Sequence, residues 1–240
     1  SIITDLFAGQ LQSSLQCQTC KHTSYSYEPF LDISVSIPRS ESKSLLQKTL
    51  KMTDSGRCTL QQCFENYTAP EALDDMFDCD KCKQKRKKIK TFSIYRHPKI
   101  LVVHIKRFCF NEQYRAKLST DVAFPLQSLD MTPYLSVPCH SDGNDEIKLE
   151  ESEVEPQVSR KNDHANISAK YDLIGVCNHS GSGMQGGHYV AHVNTSFWKN
   201  DKSQWMLYDD ERVSNTKSAE QITGPSAYIL FYVLKDDHTT

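Results

Sequence analysis

The stretch Tyr171–Asp210, YDLIGVCNHSGSGMQGGHYVAHVNTSFWKNDKSQWMLYDD, decides how the rest of the chain reads. An apolar run at Leu173, Ile174 and Val176 ends in a loop holding Gly181, Gly183, Gly186 and Gly187. His188 follows the loop and opens a second run, Tyr189-Val190-Ala191-His192-Val193. A third run, Trp205 to Tyr208, ends in two acids, Asp209 and Asp210. This order of strand, glycine loop, histidine, strand, turn, strand and acid sets an imidazole at a strand start with a carboxylate on the strand beside it. A histidine acting as general base needs one ring nitrogen turned to its nucleophile and the other fixed by an acceptor. Facing residues of paired strands stand about 5 Å apart, which suits a His–Asp hydrogen bond. Glycines ahead of the histidine let another backbone pass close, because they carry no Cβ. At this level a surface histidine beside a polar hairpin is the alternative.

His188 and His192 also make an H-x-x-x-H spacing, which on a helix would suggest zinc ligands. Tyr189 stands where the zincin motif has its glutamate. On a strand four residues span roughly 13 Å, too far for one ion to bridge, so the metalloprotease reading is rejected. A different metal signal lies upstream. Cys17-Gln18-Thr19-Cys20 is matched by Cys79-Asp80-Lys81-Cys82 after 58 intervening residues. Each pair lets two thiolates converge on one ion, and two pairs complete a tetrahedral Cys₄ site. A single C-x-x-C could be a redox motif, but no βαβ pattern lies nearby. One structural Zn²⁺ held by Cys17, Cys20, Cys79 and Cys82 is the expectation.

The composition narrows the class. With 240 residues the chain holds one large domain or two small ones. A net charge of −2 implies neither bulk nucleic-acid binding nor steering by an acidic surface. No apolar stretch approaches the roughly 18 residues of a membrane span, and nothing reads as a signal peptide, so no membrane partner is expected. Nine cysteines, four of them in C-x-x-C pairs, favour metal in a reducing compartment, cytoplasmic or nuclear, over a disulfide scaffold. The N-x-[ST] matches at Asn66, Asn166, Asn178 and Asn194 are then inert.

Along the chain, Ile2 to Leu15 reads as a helical start passing into a strand around Leu11–Gln16. Tyr25 to Ile37 alternates loosely and ends at Pro38, as a strand would. Arg39 to Thr53 is polar loop. Thr59 is the expected N-cap of a helix over Leu60–Tyr67, with Cys58 and Cys63 as core residues. Glu71 to Met76 reads as a further helical turn. Lys81 to Lys90 carries seven basic residues. It is either a nuclear-import or nucleic-acid patch, or a hairpin tip or edge strand kept soluble by its lysines. With Phe92 the only aromatic nearby, stacking platforms for single strands are lacking and the second option is favoured. Ile100 to Ile105 is a strand covered on both faces. Val122–Pro125 and Leu129–Leu135 read as a short strand and a turn. His140 to Asn166 gathers eight acids with few large apolar residues and reads as a solvated insertion. Ala227 to Leu234 is a last buried strand.

GGHYVAHV followed by W-x-x-YDD resembles the histidine box of the ubiquitin-specific proteases, cysteine peptidases that cut ubiquitin from its conjugates. DLFAGQLQSSLQCQTC, PKILVVHIKRF at Pro98–Phe108, LDMTPYL at Leu129–Leu135 and SAYILFYVL at Ser226–Leu234 resemble further blocks of that family, in the family's order. The resemblance covers nearly the whole chain. It implies an α+β, papain-like cysteine peptidase fold, with a palm β-sheet, zinc-bearing β fingers and a thumb largely missing from these residues. Its implied division is fingers at about 12–96, palm at about 97–139 and 170–236, and the acidic insertion at about 140–169. His188 would activate the cysteine and Asp209 would orient it, with Asp210 as the fallback. The family's cysteine box lies upstream of its zinc cysteines, so the nucleophile is expected outside these 240 residues. Cys109 and Cys177, both in apolar strand segments, are rejected as substitutes because such thiols are buried and inert. Ubiquitin and ubiquitinated proteins are the implied partners. The rival from another class is a non-catalytic, zinc-stabilised module that binds ubiquitin or another partner. A nucleic-acid-binding zinc protein, resting on Lys81–Lys90 alone, is the weakest reading.

Overall fold

The computed structural model describes residues 1–38, 56–110, 115–136, 168–181, 186–196, 204–216 and 218–235. The expected loop at Arg39–Thr53 and the acidic stretch His140–Asn166 lie outside the described residues. The chain opens with α1 (Ile2–Phe7), capped by the Ser1 hydroxyl, and passes into β1 (Gly9–Cys17). Gly9 is required where β1 begins, because a Cβ there would lie 2.2 Å from the Phe30 ring.

The expected strand over Tyr25–Ile37 is two strands in two different sheets. β2 (Thr23–Phe30) pairs antiparallel with β1, whereas β3 (Ile33–Ser36) runs parallel to β7 (Ile100–Lys106). Pro29 is tolerated in β2 because β2 is an edge strand. After β4 (Arg57–Thr59) comes α2 (Leu60–Thr68), where the expected cap is complete. The Thr59 hydroxyl accepts from the Gln62 N–H at 3.1 Å, and the Gln62 side chain accepts from the Thr59 N–H at 2.9 Å. This reciprocal box fixes the helix start. Leu60, Cys63 and Phe64 face the core, as expected from their spacing.

Glu71–Met76 is not helical. It belongs to β5 (Glu71–Cys79), which pairs with β6 (Gln84–Arg96) and sets Glu71 opposite Lys90 and Asp78 opposite Lys85. Opposite charges across a ladder stabilise the pairing, and this non-local term overrides a local sequence of helix formers. The basic run therefore starts in the turn between β5 and β6 and continues along β6. In the four-stranded sheet, ordered β2-β1-β6-β5, β6 is a central strand, so the edge-strand expectation is corrected while the hairpin-tip expectation holds. Lys88 is buried on it, and the Lys90 ammonium lies 4.4 Å from the Phe92 ring centroid.

The larger sheet takes β7 in its interior, with Leu101, Val103 and Ile105 buried. Alternate residues Ile100, Val102 and His104 are only half-buried, so one face is fully covered rather than both. β8 (Phe108–Phe110) and β9 (Arg115–Lys117) form a hairpin, and β10 (Asp121–Ala123) pairs parallel with β4. β11 (Leu129–Asp130) and a 3₁₀ turn (Thr132–Tyr134) lead to β12 (Lys170–Ser180). Then follow β13 (His188–Asn194), β14 (Trp205–Asp209), β15 (Arg212–Asn215), the short α3 (Ala219–Ile222) and β16 (Ala227–Leu234). The sheet runs β15-β14-β13-β12-β16-β7-β3, with β11 beside β12. Its buried face packs against α2 and Tyr134, whose ring lies 5.3 Å from that of Phe64.

Candidate active site and metal centre

Both cysteine pairs turn in the same way. The Lys21 N–H donates to the Cys17 carbonyl at 3.0 Å and the Lys83 N–H to the Cys79 carbonyl at 2.8 Å. Lys21 and Lys83, each following the second cysteine of its pair, take positive φ of 61° and 53°. β1 and β6 are hydrogen-bonded neighbours, with Cys17 opposite Lys88, and β5 ends beside them. The ladder thus brings sequence-distant pairs together. The four sulfurs lie within 4.8 Å of one another, and Cys20 Sγ to Cys79 Sγ is 3.6 Å. A disulfide needs about 2.05 Å, whereas tetrahedral ligands at about 2.3 Å from an ion stand roughly 3.8 Å apart. The cluster therefore fits a metal and not a disulfide. Hydrogen bonds from the backbone N–H of Cys20 and Thr19 pull the Cys17 thiol down to about 6, and the Cys82 N–H does the same in direction for Cys79. These two shifts favour thiolates, whereas the Cys20 sulfur and burial push the Cys82 thiol up to about 12, so Cys82 would lose its proton only to a bound cation.

The histidine site sits at the open end of β12, β13 and β14. β12 faces β13 with Ser180 opposite His188, and β13 faces β14 with Ala191 opposite Tyr208. Continuing that register sets Asp209 beside Val190, so His188 reaches it on the diagonal and not, as the sequence alone suggests, directly across. Diagonal neighbours on one face stand about 7–8 Å apart, within reach of a long side chain. His188 Nε2 is hydrogen-bonded to Asp209 Oδ1. Nδ1 has no hydrogen bond to any described residue. The Asp209 bond, with the charge of Asp209 and then that of Asp210, raises the His188 pKa above the ordinary histidine value. Side-chain exposures of 50% and 41% leave the pair open to a reactant.

Asp210 also lies beside the pair. It forms the β14–β15 turn with φ 52°, and its carboxylate comes within 4.8 Å of the His188 and Asp209 ligand atoms. Aspartate tolerates that left-handed backbone better than most residues. His192, expected to be no partner of His188, is buried and bonded through Nδ1 to the Thr216 hydroxyl at 3.0 Å. Cys58 and Cys63 are core residues as expected, and burial pushes the Cys63 thiol up to about 12. Cys177 is half-buried and its thiol is likewise raised by burial; the Cys109 side chain lies outside the described set.

Sequence reasoning missed two residues beside the loop. His179, one residue before the end of β12, is buried against Phe108, Tyr189 and Tyr228, with Nδ1 unpaired among the described residues. Lys117 reaches the same place from the β8–β9 hairpin. His179 lies opposite Tyr189 only through the β12–β13 register, which the sequence does not reveal, and nothing in the sequence marked Lys117.

The sequence profile described as "Ubiquitin carboxyl-terminal hydrolase" matches residues 1–232. The chain belongs to the ubiquitin carboxyl-terminal hydrolase family. It is 35% identical over 236 residues to ubiquitin carboxyl-terminal hydrolase 3 of Homo sapiens, covering 97% of this chain and 39% of that protein. It is also 35% identical to ubiquitin carboxyl-terminal hydrolase Usp2 of Drosophila melanogaster, covering 97% of this chain and 20% of that protein. Among solved structures it resembles a chain of the SAGA Ubp8/Sgf11/Sus1/Sgf73 deubiquitinating module bound to monoubiquitin, with a TM-score of 0.71 at 26% identity over 98% of this chain and 42% of the other. The same module bound to ubiquitin aldehyde gives a TM-score of 0.70 at 25% identity, over 98% and 43%. The chain thus spans about two fifths of these hydrolase-family chains or less. Its mixed α+β, mostly sheet architecture is that of the family's papain-like catalytic domains.

Proposed function

We propose that these residues form the base-bearing and ubiquitin-gripping part of a cysteine-type deubiquitinase, which hydrolyses the peptide or isopeptide bond after the ubiquitin C-terminal glycine. The carrying observation is the His188–Asp209 pair in a chain of this family, with Nδ1 turned free. Asp209 accepts from Nε2–H and so fixes the tautomer in which Nδ1 takes a proton. Nδ1 removes the proton of the nucleophilic thiol, and the thiolate attacks the carbonyl carbon. The imidazolium returns that proton to the departing amine. Nδ1 then takes a proton from the water that hydrolyses the thioester, and the thiol is regenerated.

The thiol comes from a cysteine beyond these 240 residues. Of the seven described cysteines, four gather in the candidate metal site, Cys58 and Cys63 are buried, and burial raises the Cys177 thiol. We assign the four-stranded sheet to the fingers, within about 12–96, and the larger sheet to the palm, within about 97–139 and 170–236, with 140–169 as an insertion in one domain over 1–240. Tyr25, Tyr27 and Tyr95 are exposed on the finger sheet, Tyr27 and Tyr95 with ring centroids 4.7 Å apart, and offer ubiquitin a surface of aromatic anchors. Solved relatives bound to monoubiquitin and to ubiquitin aldehyde support that partner. Cys17, Cys20, Cys79 and Cys82 would hold one structural Zn²⁺, which supplies no chemistry to the reaction and ties the finger strands at their far end. A reducing cytoplasmic or nuclear setting suits free thiols. No helix among the described residues is long and apolar enough to cross a membrane.

The test is hydrolysis of a fluorogenic ubiquitin C-terminal amide by the full-length enzyme and by its His188→Ala variant. Turnover lost in the variant, with ubiquitin binding kept, is the expected result. Ubiquitin binding without turnover in the unaltered enzyme would point instead to a non-catalytic module.

A further inference from the structure

The β8–β9 hairpin carries a cation to the neck of the glycine loop. Lys117 Nζ donates to the His179 carbonyl at 2.6 Å and to the Gly181 carbonyl at 3.1 Å. Among the described residues it has no carboxylate partner, so its charge is directed at backbone oxygens. Burial, with the nearby Arg107 charge, holds its pKa below the ordinary lysine value. The hairpin is itself pinned. The Leu118 N–H donates to the Arg107 carbonyl at 2.7 Å, and the fully buried Arg107 guanidinium donates to the Ala227 carbonyl at 2.6 Å and the Thr120 carbonyl at 2.7 Å.

At the neck, the two limbs of the loop touch. Gly181 has φ 138°, and a Cβ there would meet the Gly186 carbonyl oxygen at 2.8 Å and Gly187 Cα at 2.9 Å. A Cβ on Gly187 would lie 2.1 Å from His179 Nε2. The incoming limb is therefore fixed by Lys117, and the outgoing limb rests on the incoming one and on the His179 ring. The next residue of the outgoing limb is His188.

We propose that Lys117 is a positioning residue for the reaction: by bridging the His179 and Gly181 carbonyls it locks the loop neck and holds His188 in register with Asp209. The proposal rests on the deubiquitinase reading of His188. Positioning errors of about 1 Å can cost roughly 10²-fold in rate, so a clamp remote from the reacting atoms has a measurable effect.

The experiment replaces Lys117 by Met and by Arg in the full-length enzyme. It follows the His188 Cε1–H resonance against pH and measures kcat and KM on a fluorogenic ubiquitin C-terminal amide. The charged groups facing His188 are Asp209 and Asp210, with Lys117 and His179 behind the loop neck. Removing a nearby positive charge would by itself raise the His188 pKa, whereas losing the Asp209 contact lowers it. The expected result for Lys117→Met is a downward shift of the titration and a kcat roughly ten- to a hundredfold lower, with KM little changed. Lys117→Arg, which keeps two or more donors, restores both. A titration in Lys117→Met that stays in place or moves up overturns the proposal, whatever happens to activity. Should the Met variant not fold, Lys117→Gln, which retains one amide donor group, carries the same comparison. The titration needs no substrate, so an unaltered enzyme that fails to hydrolyse the amide defeats the deubiquitinase reading and leaves this test readable.

Discussion

His188 is held by one strong neighbour and one weaker one, and the two are separable. Asp209 bonds Nε2, while Asp210 acts only through its charge from the adjacent turn. Asp209→Ala is expected to cut turnover far more than Asp210→Ala, by up to ~10⁴-fold if the orienting acid matters as it does in a serine-protease triad. Equal losses, or the reverse order, would refute the assignment. Because the folded pKa of His188 is raised, the pair's contribution to stability is present in full below the unfolded value of about 6.5 and is lost as pH rises through the folded value. For so exposed a pair that contribution is small. The cleaner readout is the titration itself, which Asp209→Asn should move down towards the ordinary histidine value. Gly187→Ala tests the loop: its Cβ would enter the His179 ring, and overpacking of this kind costs about 1–3 kcal/mol, visible in a urea titration. At this scale the sequence was legible where chemistry has a pattern. The histidine, the acid and the four cysteines were readable from spacing and resemblance. The diagonal reach to Asp209 was not, because it depends on where the β13–β14 ladder ends and on a left-handed turn at Asp210. Lys117 was invisible, because a lysine that caps carbonyls leaves no motif.

The elements divide in the same way. α2 was readable because its cap and its apolar spacing are both local, and Thr59→Ala should lower stability by about 1 kcal/mol by removing one half of the capping box. β5 was not, because EALDDM is made largely of helix formers and becomes a strand only through charges on β6 that lie across the ladder. The split of Tyr25–Ile37 between two sheets was equally hidden, since each half alternates as a strand should. The cysteine cluster lies where the ends of β1 and β5 meet the turn into β6. Small zinc domains gain on the order of 10 kcal/mol from their metal. If the cluster holds such an ion, a strong chelator, or Cys79→Ser, should lower the melting temperature and expose the four-stranded sheet to hydrogen exchange while the larger sheet stays protected. Uniform protection in both sheets after chelation would show that no metal holds the cluster.

At the scale of the molecule, the features fall on two sheets: one carries exposed tyrosines and the cysteine cluster, the other carries the hydrogen-bonded His188 and Asp209. What they lack among the described residues is an accessible thiol beside His188 Nδ1. This follows from where the cysteines lie: the four-sulfur cluster, the core around α2 and the half-buried Cys177 account for all seven described. The central claim, a base and a ubiquitin grip that act on a cysteine from elsewhere, is tested most directly by one measurement. These 240 residues are mixed with ubiquitin carrying a thiol-reactive group at its C-terminus, and the intact mass is read alongside a titration with unmodified ubiquitin. The account predicts reversible ubiquitin binding and no covalent adduct. A ubiquitin mass attached to any of the nine cysteines would contradict it, by placing the nucleophile within this chain.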